Sequence, residues 1–435
     1  MSRSPASEPT LRRELGKWDL TAIGVNQVIG SAIFLLPSQV AAQVGSWSPI
    51  AFLAIGGASL LVALCFAEVG SRFEGTGGPY LYTRAAFGRF VGFEVGWMQW
   101  VTRVTSQASI VNAIALALGF YWPPVAGGLG RALTISTVTL GLGWINLRGI
   151  RLSAAVINMF TVAKLVPLAL FIVIGVWFVD VGRLVPSGSV SLPQVSAAAL
   201  LLIFAFGGYD VIGVPAGEAS NPRRHLPFAF VVTILTVTAI MTLAQLVALG
   251  TLPDLQASKT PLADASLLFM GAAGALLISA GSIVSMTGNN LGAVLTGSRM
   301  LFALSENGEL PRLFSRIHPR YRTPSNAIMF TTLAALALAL SGSFVILAVA
   351  SAVARLIAYT GACAATLRLR HPRFEGLVSP ATFVIPLGPI VPLLAIAVSL
   401  TILAGATSAQ LLGGAAGLAA GAALFFANDR LRGAA

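Results

Sequence analysis

The chain has 435 residues, 56% of them hydrophobic and only 10% charged, and its 27 basic and 15 acidic residues leave a net charge of +12. An ordinary soluble chain carries about 25% charged residues, so a soluble enzyme, a disordered chain and a disulfide-built secreted domain are all excluded. A bilayer core takes roughly 20 helical residues to cross, and the apolar residues suffice for about twelve crossings. The expected fold class is an all-α membrane protein.

In chain order, spans are expected near 17–43, 49–71, 92–120, 132–147, 153–180, 195–218, 225–250, 267–303, 324–340, 343–366, 380–403 and 409–428. Short tails, 1–16 and 429–435, flank them. With the N-terminus placed inside, the cytoplasmic segments hold 21 basic residues, among them Arg3, Arg12, Arg13, Arg223, Arg316 and Arg432. The outer loops hold three, Arg131, Arg183 and Lys259. That asymmetry puts both termini in the cytoplasm by the positive-inside rule. The basic residues alternate with apolar spans instead of clustering on one face, so nucleic acid is not an expected partner. Cys65 and Cys363 fall inside spans and do not suggest an extracellular disulfide. No signal peptide is visible before Trp18. A bacterial inner membrane is the expected location.

Two spans are unusual. The first reads Thr21-Ala-Ile-Gly-Val-Asn-Gln-Val-Ile-Gly30-Ser31-Ala32-Ile-Phe34, and the sixth reads Phe204-Ala205-Phe206-Gly207-Gly208-Tyr209-Asp210 before continuing to Glu218. Glycine costs about 1 kcal/mol in a helix interior, and unwound backbone at membrane depth survives only when buried in protein or lining a cavity. Spans 1 and 6 open two five-span halves, 17–180 and 195–366, which have opposite orientation because five is odd. Matched interruptions in inverted halves point to a transporter's midplane site. One glycine alone would signify only close helix packing.

Around these residues the chain resembles the amino acid–polyamine–organocation superfamily, in its amino acid permease branch. The resemblance rests on Gly30-Ser31-Ala32-Ile33-Phe34, Gly77-Gly78-Pro79-Tyr80-Leu81-Tyr82, Asn146-Leu147-Arg148-Gly149, Phe206-Gly207-Gly208-Tyr209-Asp210, Glu218-Ala219-Ser220-Asn221-Pro222, and Ser298-Arg299 through Asn307-Gly308-Glu309-Leu310-Pro311. Ala32 stands where the family has glycine, Glu74 where proline is common, and Asp210 is shorter than the usual glutamate. The resemblance implies twelve helices in a five-plus-five inverted repeat with two peripheral helices at 380–428, and alternating access around a central amino-acid site.

An amino acid carries a carboxylate and an ammonium, and burying either without partners costs several kcal/mol. Free N–H groups at the start of the second half of span 1 would take the carboxylate, through Ile29, Gly30, Ser31 and Ala32. Free carbonyls at the end of the first half of span 6 would take the ammonium, through Phe204, Ala205 and Gly207. Phe204 and Phe206 could lie over the ligand, or simply pack in the core or face lipid. On span 8, Ser285, Asn289 and Asn290 are weaker candidates.

Ionisable residues inside a membrane are costly and mark function. Lys164 lies about 16 Å into span 5 at 1.5 Å per residue, Arg103 lies at similar depth in span 3, Arg355 sits within span 10, and Asp210 follows the break in span 6. The resemblance implies that Lys164 stands where sodium binds in ion-coupled relatives, either as a fixed cation holding span 1 or as a proton carrier. Arg103 either binds an acidic side chain or pairs with Asp210, and the pair is preferred because an unpaired buried arginine is expensive. Arg355 would pair with Glu218 or a span-10 neighbour, as a clamp or gate. Glu68, Glu94 and Glu218 would cap helices or pair with nearby arginines. The histidines are scattered, no nucleotide or nucleophile motif appears, and no cofactor, metal or enzymatic activity is expected.

The expected function is sodium-independent transport of a small or medium neutral amino acid, by proton symport or exchange, with protons and the lipid bilayer as the other partners. Acidic or cationic amino acids and polyamines are the alternative substrates. A non-transporting sensor or receptor is the alternative class; it would usually carry a soluble extension. A channel suits the buried charges less well.

Overall fold

The computed structural model describes residues 10–125, 127–341, 344–405 and 407–433. Arg3 and Ser343, the first residue of the tenth expected span, lie outside the described residues, as do most of the N-terminal tail and the last two residues. Helices run in the order α1 (Lys17–Val28), α2 (Ala32–Val44), α3 (Ser48–Gly70), α4 (Pro79–Phe87), α5 (Arg89–Tyr121), α6 (Gly128–Leu147), α7 (Ile150–Gly175), α8 (Val181–Leu184), α9 (Leu192–Phe206), α10 (Pro222–Thr251), α11 (Pro261–Glu306), α12 (Ser325–Ser341), α13 (Phe344–Arg368), α14 (Ile390–Ala404) and α15 (Ser408–Gly433). Among the described residues β-structure is limited to isolated bridges. Among the described residues seven helical segments are long and apolar enough to cross a membrane, and the remaining expected spans fall on α6, α12, α13 and α14. Leu53, Leu133, Val162, Val173 and Leu393 are exposed along these helices, as a lipid-facing surface requires.

Both interruptions are present. Span 1 divides into α1 and α2 at Ile29-Gly30-Ser31. Span 6 ends its α-helix at Phe206 and continues through two 3-10 turns, Tyr209–Gly213 and Ala216–Glu218, so its second half is more tightly wound than a continuing α-helix. Gly208 shows why: its φ of +126° is left-handed backbone, and a Cβ there would lie 2.6 Å from the carbonyl oxygen of Gln27. Only glycine tolerates both the torsion and the approach, and this contact brings the two breaks together.

Helix α4 departs from the sequence expectation, which left residues between spans 2 and 3 as loop. Gly77 and Gly78, at φ +135° and +51°, turn the chain into it. A Cβ on Gly78 would come within 3.0 Å of the Gly213 backbone, so this turn lies against the wound half of span 6. The long helices pack around these breaks, α10 along α3 and α11 along both α5 and α7. The N-terminal segment lies against the end of span 6: Glu14 and Leu15 donate their N–H groups to the Glu218 carbonyl at 2.9 Å, and Ser220 donates to the Leu15 carbonyl at 2.9 Å.

Candidate functional site

The end of α1 is held by side chains from α7 and α11. Lys164 on α7 is fully buried and donates from Nζ to the carbonyls of Ile29 at 2.6 Å, Asn26 at 3.2 Å and Ser285 at 3.2 Å. Ser285 donates to the Ile29 and Gly30 carbonyls at 3.0 and 2.9 Å. Asn289 donates from Nδ2 to the carbonyls of Asn26 and Gln27 at 3.2 and 2.9 Å. A helix terminus leaves its last carbonyls without intrahelical partners, and here one ammonium, one hydroxyl and one amide satisfy them.

This geometry narrows the expected ligand set. The Ile29 N–H donates to Val25 and the Gly30 N–H to Val28, while the carbonyls of Ile29 and Gly30 accept from Lys164 and Ser285. Both residues therefore spend their polar groups on the protein, and so does the amide nitrogen of Asn289. The N–H groups of Ser31, Ala32 and Ile33 bond to no backbone carbonyl outside the helices among the described residues. They are the free donors at the positive end of α2.

At the end of α9 the Phe204 carbonyl accepts the Gly207 N–H at 3.2 Å, so it is not a free acceptor. Ala205, Phe206 and Gly207 are buried, and their carbonyls accept no backbone N–H outside the helices among the described residues. The two phenylalanines separate: Phe206 is buried in the core, whereas Phe204 is 53% exposed with the Arg355 guanidinium 6.0 Å from its ring centre.

Arg103 on α5 joins the two breaks. Its Nη1 donates to Gln27 Oε1 at 3.3 Å and its Nη2 lies 3.9 Å from Asp210 Oδ2. Asp210 also accepts from Gln99 Nε2 at 3.1 Å and from the Tyr359 hydroxyl at 3.2 Å, and that hydroxyl accepts the Gly208 N–H at 3.4 Å. Arg103 and Asp210 are both nearly fully buried, and in such a setting a charge left without its partner is strongly destabilising. Exchanging the two, Arg103→Asp with Asp210→Arg, is expected to restore part of the transport lost in either single variant. No recovery in a proteoliposome flux measurement would contradict the pairing.

Two expected pairings are corrected. Glu218 does not reach Arg355; it holds Arg299 of α11 through Nε–Oε2 at 2.9 Å and Nη2–Oε1 at 3.0 Å, with both side chains fully buried. Arg299 and Glu218 meet where α11 packs beside the Ala216–Glu218 turn, whereas Arg355 lies on α13 against Gly207. Among the described residues Glu94 pairs with no arginine: both its carboxylate oxygens lack partners, and they lie against Gly421 of α15. Glu68 does pair, accepting from Arg370 at 2.6 and 2.5 Å. Gln27, Gln99 and Tyr359 had no part in the sequence expectation. Their signal is position: Gln27 lies in the last turn before the first break, Gln99 lies one helical turn before Arg103, and Tyr359 lies one turn after Arg355.

The amino acid permease family profile matches residues 15–429. The chain is 32% identical over 404 residues to the serine/threonine exchanger SteT of Bacillus subtilis, covering 90% of this chain and 91% of that protein. It is 27% identical to the methylthioribose transporter of the same organism, over 90% of this chain and 88% of the relative. It is also 27% identical to the branched-chain amino acid permease BcaP of Bacillus subtilis, over 75% and 74% of the two chains.

Proposed function

The chain belongs to the amino acid permease family, an integral membrane transporter and not an enzyme, and on that premise we propose that it carries a small or medium neutral amino acid by alternating access without sodium. The N–H groups of Ser31 and Ala32 and those following hold the carboxylate, and the carbonyls of Ala205, Phe206 and Gly207 hold the ammonium. Spans 17–180 and 195–366 act as the two inverted halves, with 380–428 peripheral and both termini in the cytoplasm of a bacterial inner membrane.

The observation that carries this reading is Lys164 between the carbonyls of Asn26, Ile29 and Ser285. Three converging carbonyls form a site for a monovalent cation, and the ammonium already fills it. Sodium then has no role at that place, and coupling falls to a proton or to exchange. Arg103 and Asp210 cancel each other, which suits a substrate without net charge. The relatives named for serine, threonine and branched-chain amino acids support the same substrate class.

The test is counterflow in proteoliposomes with a panel of amino acids and polyamines. Saturable exchange of a neutral amino acid is expected, equal with and without sodium. Flux that requires sodium would remove the role given to Lys164, and saturable binding without flux would favour a sensor.

A further inference from the structure

Three ionisable side chains around the breaks have partners: Lys164 has backbone carbonyls, and Arg103 and Asp210 have each other. Arg355 is different. Among the described residues it makes no ion pair and no hydrogen bond, and its Nε is buried without a partner. The two carboxylates expected near it are engaged elsewhere, Glu218 with Arg299 and Asp210 with Arg103, Gln99 and Tyr359.

Its position is defined by Gly207. A Cβ on that glycine would lie 1.8 Å from Arg355 Nη1 and 2.8 Å from Cζ, so the guanidinium rests on the bare backbone where α9 ends. The exposed Phe204 ring flanks it at 6.0 Å. One helical turn further along α13, Tyr359 bonds Asp210 and the Gly208 N–H. Arg355 is thus half-buried beside the carbonyls that would receive the ammonium, and among the described residues its buried Nε has no acceptor.

A buried donor without an acceptor is costly. The α-ammonium next to Arg355 is offset by the carbonyls at the end of α9, whereas a second cation on the side chain would meet the guanidinium with no acceptor between them. We propose that Arg355 determines side-chain specificity: it accepts an amino acid whose side chain presents an oxygen, a hydroxyl or amide, and rejects cationic side chains. The guanidinium donates to that oxygen while the α-carboxylate and ammonium stay at the α2 and α9 ends. This inference rests on the amino-acid reading above. A hydrogen bond from a charged donor corresponds to roughly tenfold to hundredfold discrimination between a ligand that accepts it and an isostere that does not.

Counterflow of isosteric pairs tests it. The wild-type protein is expected to exchange threonine at least about tenfold more efficiently than valine, and asparagine above leucine, with lysine excluded. Arg355→Met is expected to bring threonine and valine within about threefold and to admit lysine, while Arg355→Lys keeps lysine out. Equal exchange of threonine and valine by the wild type overturns the assignment, as does a threonine preference that survives in Arg355→Met. If Arg355→Met carries nothing, thermal protection of the purified variant by the same ligands reads the ratio, and an unchanged ratio overturns it. Aspartate carried well above threonine supports Arg355 as the side-chain contact and removes the neutral substrate class. Absence of counterflow with every amino acid defeats the transport reading itself, whereas valine matching threonine defeats only the role of Arg355.

Discussion

Replacing Lys164 with alanine is expected to reduce sodium-free transport about 100-fold while leaving a protein that still inserts and folds. The size follows from the contacts. The ammonium makes three bonds to backbone carbonyls, and hydrogen bonds from charged groups contribute about 1.5–3 kcal/mol each. Their sum overstates the loss, because the Ile29 carbonyl keeps the Ser285 hydroxyl and the Asn26 carbonyl keeps the Asn289 amide. A net cost near 3 kcal/mol is the outcome, and at about 1.4 kcal/mol per tenfold it corresponds to two orders of magnitude. The site stays assembled but loses the clamp that fixes α1 to α7 and α11.

The pH dependence of that variant separates the two roles open to Lys164. If the lysine carries the coupling proton, the residual transport of Lys164→Ala loses its pH dependence. If it is a fixed cation, transport falls at every pH while ligand binding keeps its profile. Full wild-type flux in the variant would contradict both.

The second large effect concerns Glu218 and Arg299. Their two bonds at 2.9 and 3.0 Å lie wholly inside the protein, and the Ser298 hydroxyl accepts a third from Arg299 at 3.2 Å. Removing one partner of such a pair costs about 3–5 kcal/mol, because the other charge is left buried; removing both together costs less. Glu218→Gln and Arg299→Met are each expected to lower thermal stability in detergent markedly, and the double variant to recover part of the loss. Simple additivity of the two single effects would show that the residues do not act as a pair. The Glu218 carbonyl also anchors Glu14 and Leu15, so the same variants should loosen the N-terminal segment and raise its susceptibility to protease.

The two breaks were legible in the chain because Gly30 and the Gly207-Gly208 pair are expensive inside a helix and stood at corresponding places. Lys164 was legible for the same physical reason: a charge at that depth must be used. What the sequence could not show is where polar groups are spent. Gly30 reads as a bare, accessible backbone position, yet its N–H and carbonyl are both bonded within the protein. Glu218 could be matched with any arginine near it in depth, and its actual partner, Arg299, is set by how α11 packs beside the 3-10 turns of span 6. Gln27 and Gln99 were hidden because a polar side chain within a helix can satisfy itself locally, as Thr102 does on the Met98 carbonyl at 2.8 Å and Thr161 does on Ile157 at 2.8 Å. Helix α4 was missed because nine residues between two spans carry no span-length apolar signal.

The central claim is that backbone freed by the two breaks holds both charged ends of the substrate, the carboxylate at the start of α2 and the ammonium at the end of α9. Competition against sodium-free counterflow tests it most directly, using the transported amino acid, its methyl ester and its N-acetyl derivative. The unmodified zwitterion should compete fully, and blocking either end should weaken competition by about 100-fold, since each end forfeits a charge-assisted set of hydrogen bonds. Equal competition by either blocked derivative would show that the corresponding break does not hold the ligand.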